Sequence, residues 1–139
     1  MSPRFLVDAN VLSEPLKPVP NPSVLQQIES YRMDLATASP VWHELLYGCF
    51  RLPESKRRTT IEDYLWKILA PSLLILPYDE QAAERHARER ARLTAVGKTP
   101  PFVDGQIASI ALVQDLVLVT RNEADFAAFE ELRIENWWA

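Results

Sequence analysis

The sequence predicts an α/β fold with a mostly parallel central sheet and helices on both faces. Short apolar runs recur at 4–7 (RFLV), 34–38 (DLATA), 73–76 (LLIL) and 116–120 (LVLVT). Segments with helical spacing of apolar residues separate them. Two of these segments open on Asn-Pro or Ser-Pro, a helix-start signature. Strands that alternate with helices in this way build parallel sheets covered on both sides.

Residues 4–7 read as a buried strand that ends directly before Asp8. The proline-bearing stretch 15–22 reads as a surface turn. Residues 21–32 (NPSVLQQIESYR) form a helix with Asn21 as N-cap and Pro22 in its first turn. After the strand at 34–38, residues 39–50 (SPVWHELLYGCF) repeat the opening, with Ser39 expected as cap and Pro40 as the first helical residue. Residues 57–69 place Ile61, Leu65, Ile68 and Leu69 at helical spacing. A third strand at 73–76 leads to a long charged helix, 79–96, that stops at Gly97. Beyond Pro100 and Pro101 come an apolar helix (102–115), the strand 116–120, a short helix (123–131) and a last extended piece (133–137). No internal repeat, low-complexity tract or interdomain linker interrupts this order, so residues 1–139 read as a single domain.

A chain of 139 residues that is 47% hydrophobic can bury a real core, which excludes wholesale disorder. No apolar run approaches the roughly 20 residues that span a bilayer, and no secretory signal is visible, so no membrane association and a cytoplasmic location are expected. The single Cys49 lies among Leu45, Leu46 and Phe50 and reads as a small buried thiol. The net charge of −4 does not suit a protein that relies on generic phosphate attraction, so nucleic-acid contacts must be local. An acid surplus suits carboxylates gathered around a cation.

In an open α/β sheet, ligands gather at the carboxyl ends of the strands. Asp8 sits at one such end, and Thr120, Arg121 and Asn122 sit at another. Two more acids are oddly placed. Glu44 shares a face with Val41 and Gly48 in a mainly apolar helix. Asp104 shares a face with Ile107, Ala108 and Ala111, while Gln106 and Ser109 point elsewhere. Each acid has an ordinary explanation: a helix dipole for Asp104, an ion pair for Glu44, a cap for Asp8. Ionised carboxylates facing a core are nevertheless costly unless paired or metal-bound. Three of them, with no matching inward cation, point to a hard-metal site for Mg²⁺ or Mn²⁺. The stretch HELLY (43–47) is not a zinc-protease motif, because position 47 is Tyr and His86 lies in the charged helix. With three glycines, the chain has no Gly-rich phosphate loop.

Four blocks, FLVDANVLSE (5–14), VWHELLYG (41–48), FVDGQIASIA (102–111) and LVTRNEADF (118–126), resemble the signature blocks of PIN-domain ribonucleases. The likeness is greatest to VapC-type toxins of bacterial toxin–antitoxin pairs, particularly the FitB-like branch with its SEPLKP continuation. The ending ENWW resembles the family's Asn-Pro-Trp, with Trp137 in place of the proline. The resemblance implies a PIN-like three-layer α/β/α fold and a Mg²⁺-dependent endoribonuclease, with Mn²⁺ as the alternative ion. Asp8, Glu44 and Asp104 match three of the family's four acids. The fourth falls at Asn122 or at Asp125, and Asn10 and Thr120 match groups that orient ligands or water.

The same resemblance implies an RNA substrate, a cognate antitoxin and a homodimer. Tyr64, Leu65, Trp66, Ile68 and Leu69 give the helix at 57–69 more apolar surface than one face can bury, which also points to self-association. The antitoxin is expected to aim an Arg or Lys at the acids and to lie in a groove near residues 24–28 and 42–50. Arg121 is the cation best placed for RNA. Arg85, Arg88 and Arg92 form a stripe that is a second candidate for RNA contact, against which Glu84–Arg88 and Arg85–Glu89 stand as i,i+4 pairs on a solvated helix. Two rival functions remain. An Asp8-dependent phosphatase or phosphoacceptor domain would want a second Asp where Asn10 stands. A catalytically idle interaction module would not need the three acids.

Overall fold

In the computed structural model, which describes residues 3–138, all five strands are parallel. They are β1 (Phe5–Val7), β2 (Leu35–Ala38), β3 (Leu74–Leu76), β4 (Val117–Val119) and β5 (Ile134–Glu135), in the order β3-β2-β1-β4-β5. The helices are α1 (Ala9–Ser13), α2 (Pro22–Ser30), α3 (Ser39–Phe50), α4 (Lys56–Asp63), α5 (Ala70–Ser72), α6 (Glu80–Ala95), α7 (Phe102–Val113) and α8 (Glu123–Phe126). The chain thus steps from β1 out to β3 on one side, then returns to β4 on the other. That reversal makes a switch point between β1 and β4, where such sheets open a crevice. Register across it is set by Phe5 opposite Val117 and Val7 opposite Val119.

Phe5, Leu6 and Val7 are all buried, as are the four residues of β2, because helices cover both faces of these inner strands, whereas the edge strands β3 and β5 carry exposed residues. At the C-terminal end of the chain Trp137 packs edge-on against Phe5 and stacks on Tyr31, tying the tail to the first strand. Cys49 is buried as expected, and burial pushes its thiol up.

Several element boundaries differ from the sequence-based expectation. A helix the sequence did not announce, α1, follows Asp8 directly, and the turn at 15–22 begins in a 3-10 turn, Glu14–Leu16. Buried Glu14 anchors that turn through Lys17 at 2.9 Å and the Asn21 N–H at 2.8 Å. Ser39 is not the cap of α3. Ala38 holds that position without a side-chain bond, and the Ser39 hydroxyl accepts from the Tyr78 N–H at 3.3 Å instead. The helix at 57–69 is α-helical only to Asp63 and widens to a π-helix over Tyr64–Leu69. The wider turn aligns Leu69 with Leu65, both buried, and rotates Ile68 out to solvent. The last helix ends at Phe126 rather than 131.

Long helix α6 packs along α7, and its His86 ring lies against Gly105 so closely that a Cβ there would overlap it. The ring's Nδ1 meets the Tyr78 hydroxyl at 2.7 Å. Asp104, one residue earlier, is thereby held on a turn of α7 whose backbone height is set by α6.

Candidate functional site

Parallel β1 delivers Asp8 to the switch point, and the residue's extended backbone (φ −77°, ψ 167°) lets it serve as N-cap of α1. One carboxylate oxygen, Oδ1, accepts the Ala9 N–H at 2.8 Å, and Oδ2 accepts the Thr120 hydroxyl at 2.9 Å. The Asp8 N–H donates to the carbonyl of Val119 at 3.0 Å. Thr120 is fully buried, and its Oγ1 also accepts the Asn122 N–H at 3.1 Å and Asn10 Nδ2 at 3.4 Å. Asn10 Oδ1 accepts the Arg121 N–H at 3.4 Å. The exits of β1 and β4 are therefore laced together by the two residues expected to orient ligands, Asn10 and Thr120.

The structure brings Asp8, Asn10, Glu44, Asp104, Asn122 and Asp125 to one cavity of about 300 Å³, floored by Ile107 and Phe126. Asp104 comes from the first turn of α7 and is half-buried. Ser109, expected away from the buried face, is buried as well, because α7 is covered on nearly all sides. Glu44 is corrected in one respect. It does not face the core but stands exposed at the rim of the cavity, since Val41 and Cys49 carry the buried face of α3. Arg121 adjoins the cleft only through its backbone, and its guanidinium lies over the Trp138 ring at 5.4 Å. Asn122 is the N-cap residue of the four-residue α8, with no side-chain cap bond, and Asp125 lies in that helix's first turn.

The acids disturb one another. Asp104 is pushed up to about 6, first by burial and then by the charges of Asp125, Asp8 and Glu44. Asp8 is raised by burial and by Asp125, against the lowering effect of its bonds to Ala9 and Thr120. Glu44 is raised by burial and by Asp8, with His43 opposing; because Glu44 is open to water, its rise weighs less than that of Asp104. Among the described residues none of these four carboxylates is ion-paired. Asp125 rather than neutral Asn122 is the fourth charge felt at the site.

An all-oxygen, anionic donor set of this kind fits a hard divalent cation. Among the described residues no three His, Cys, Asp or Glu side chains group tightly enough to grip an ion together. The carboxylates line one cavity, an arrangement with room for a divalent cation that keeps some of its waters.

The arginine stripe of α6 is engaged elsewhere. Arg88 meets Glu84 at 2.8 Å, Arg92 meets Glu89 at 2.9 Å and Arg85 meets Glu131 at 2.8 Å. Sequence reasoning did not find a second cavity beside Glu44. Its signal was present in HELLY, where His43 has no use as a zinc ligand and yet faces solvent beside an acid.

Residues 5–132 match the PIN domain family. Toxin FitB of Neisseria gonorrhoeae is 31% identical over 136 residues, spanning 96% of this chain and 98% of that protein. VapC ribonuclease Y4jK of Sinorhizobium fredii is 32% identical over 137 residues, spanning 96% and 97%. Among solved structures, FitAB bound to an IR36 DNA fragment superposes with a TM-score of 0.90 at 29% identity, covering 97% of this chain and 96% of the other.

Proposed function

The chain belongs to the PIN domain family, and we propose that it is a Mg²⁺-dependent endoribonuclease acting as the toxin of a toxin–antitoxin pair. The observation that carries this function is the ring of unpaired carboxylates at the switch point, Asp8, Glu44, Asp104 and Asp125 around one cavity. Relatives that bear the names Toxin FitB and VapC ribonuclease support it.

Asp8, Glu44, Asp104 and Asp125 would hold Mg²⁺, with Mn²⁺ the alternative ion and Asn122 a neutral oxygen at the edge. A bound cation of this kind acidifies a water for attack on phosphorus and stabilises the charged phosphoryl oxygens. The protein's own part is positioning. The Ala9 N–H and the Thr120 hydroxyl fix both oxygens of Asp8, so the carboxylate does not have to be ordered when substrate arrives. Asn10 couples α1 to the Arg121 backbone and so holds the two sides of the cleft at one separation. Asp104 must shed its proton before the site takes a cation, so binding strengthens as pH rises through about 6.

The test is cleavage of total RNA by the purified protein. Cleavage with Mg²⁺, its loss in chelator, and a fall of at least about 100-fold in Asp8→Asn are expected, since even groups outside the ligand shell cost 10–100-fold. Hydrolysis of p-nitrophenyl phosphate without RNA cleavage would assign the phosphatase function instead. No metal-dependent activity at all would leave an idle binding module.

Partners follow from the same function. Trp66 is 50% exposed and Ile68 59% exposed, with Trp66 edge-on to Trp42, and a homodimer would cover this apolar face. A monomer mass at micromolar concentration rules that out. An apolar groove of about 500 Å³ lined by Leu16, Leu45, Cys49, Ile61 and Leu65 reaches Glu44 and would seat the antitoxin, whose Arg or Lys would compete with the cation. Residues 24–28 do not line this groove. Metal affinity unchanged in the inhibited complex would leave steric blocking in place of competition. An RNA-cutting toxin of this kind acts in the cytoplasm, and no helix among the described residues is long and apolar enough to cross a membrane.

A further inference from the structure

On the other side of Glu44 a second cavity of about 300 Å³ opens at the same edge of the sheet. It is walled by Ser39 and His43 of α3, by Tyr78 beyond β3, and by Val103 and Gln106 of α7. The two cavities share Glu44, and Asp104 lies on α7 between Val103 and Gln106. Whatever occupies the second cavity therefore sits next to the proposed reaction centre.

Its chemistry is unlike that of the acidic cleft. Val103, 39% exposed, and Tyr78 give it an apolar wall, while the Gln106 amide, the His43 imidazole and the Ser39 hydroxyl give it hydrogen-bonding groups. From its rim, flat groups run along the solvent side of α3 at four-residue steps. The His43 ring stacks on Tyr47 with centroids 6.2 Å apart and planes 17° apart. The guanidinium of Arg51 lies 5.8 Å over the other ring, that of Tyr47. Among the described residues Arg51 has no acidic partner within ion-pair distance. Unpaired bases are recognised by stacking on aromatic and guanidinium planes and by hydrogen bonds to their edges, with a cation for the backbone. An amide such as Gln106 presents one donor group and one acceptor, the pair a base edge requires. A chain with net charge −4 cannot hold RNA by general attraction, so local contacts of this kind have to do so.

We propose that this cavity is a nucleobase subsite for single-stranded RNA. One base beside the scissile phosphate lies between His43, Tyr78 and Val103 with its edge on Gln106, and the strand continues over Tyr47 toward Arg51. The subsite deepens the ribonuclease function, on which it rests, and gives it sequence preference.

The test is binding of a 5′-labelled eight-nucleotide RNA by fluorescence anisotropy, with Ca²⁺ in place of Mg²⁺ and RNA integrity checked on a gel. The same RNA is used with a single abasic position moved along it. His43→Ala and Gln106→Ala should each weaken binding about five- to tenfold, and His43→Phe should restore most of the first loss by keeping a ring. An abasic site at one position should cost the unmodified protein the same factor and cost His43→Ala nothing further. Binding unchanged in both variants, or weakened equally for intact and every abasic RNA, overturns the subsite. So does a shift in molecular mass without a change in RNA affinity, which would assign this face to a second copy of the chain. If the abasic pattern appears but Mg²⁺ supports no cleavage, the subsite stands and the ribonuclease function falls. Cleavage without the abasic pattern overturns the subsite and leaves the ribonuclease function standing, and no RNA binding at all overturns both.

Discussion

On α6, Glu84 and Glu89 lie 2.8–2.9 Å from arginines of the same helix, while at the end of β1 Asp8, Asp104 and Asp125 face one another across a cavity with no cation paired to them. The α6 pairs form at three- and four-residue spacing, so any helix of that sequence would make them, and their worth in water is small. The cleft carboxylates come from positions 8, 44, 104 and 125, and only the folded sheet assembles them. Glu14 sharpens the contrast. It is as buried as any core residue, yet Lys17 and the Asn21 N–H hold it below the usual carboxylate range. Burial of an acid is therefore no mark of function here; what sets the cleft apart is that its carboxylates line one cavity with no cation paired to them.

The contrast can be broken first at the fourth carboxylate. Asp125→Asn should weaken Mn²⁺ binding and RNA cleavage by at least about tenfold, whereas Asn122→Ala should change either by less than about threefold. Calorimetric titration decides between them, and the reverse ranking would move the fourth ligand to Asn122.

Acid titration of the metal-free protein sharpens it next. The carboxyl of Asp104 has a folded value of about 6, above its ordinary 3.8, so its favourable contribution is complete below about pH 4 and is lost as pH rises through about 6. Asp104→Asn should therefore stabilise the metal-free protein at pH 7.5 by about 1–2 kcal/mol, reduced from the full conversion of the shift because water reaches the site. The gain should vanish near pH 4. Denaturant melts at both pH values check this, and equal melts at pH 7.5 would remove the idea of mutual repulsion.

The smallest effect belongs to α6. Arg88→Ala should change stability by no more than about 0.5 kcal/mol and leave RNA cleavage untouched, because Arg88 and Glu84 are largely exposed and already paired. Loss of RNA affinity in this variant would make the stripe a nucleic-acid surface and erase the contrast with the cleft.

Much of this organisation is legible along the chain. Four of the five strands follow from apolar runs, and Asn21-Pro22 marks α2 where the structure begins it. Asp104 stands out because Ile107, Ala108 and Ala111 define a buried side of α7 on which a lone acid is out of place. Misplacements arise where local signals compete. Ser39 resembles a cap, but the hydroxyl is taken by Tyr78, which arrives from 39 residues away. Ile68 fits a helical stripe until the π-turn rotates it into solvent. Glu44 looks core-facing because its neighbours are apolar, although Val41 and Cys49 are the residues that point inward.

By itself the sequence determined that strands and helices alternate, that Glu84 and Arg88 stand at pairing distance on α6, and that Asp8, Glu44 and Asp104 need an explanation. These features rest on spacing of two, three or four residues, which local geometry converts directly into faces and pairs. Only the tertiary structure decided that β4 returns beside β1, that Asp125 comes near enough for its charge to raise Asp8 and Asp104, and that a second cavity shares Glu44 with the first. Those outcomes depend on contacts such as Thr120 to Asp8, 112 residues apart. Such contacts form because helices bury both faces of one parallel sheet, and the direction in which the chain crosses that sheet is a property of the whole packed core.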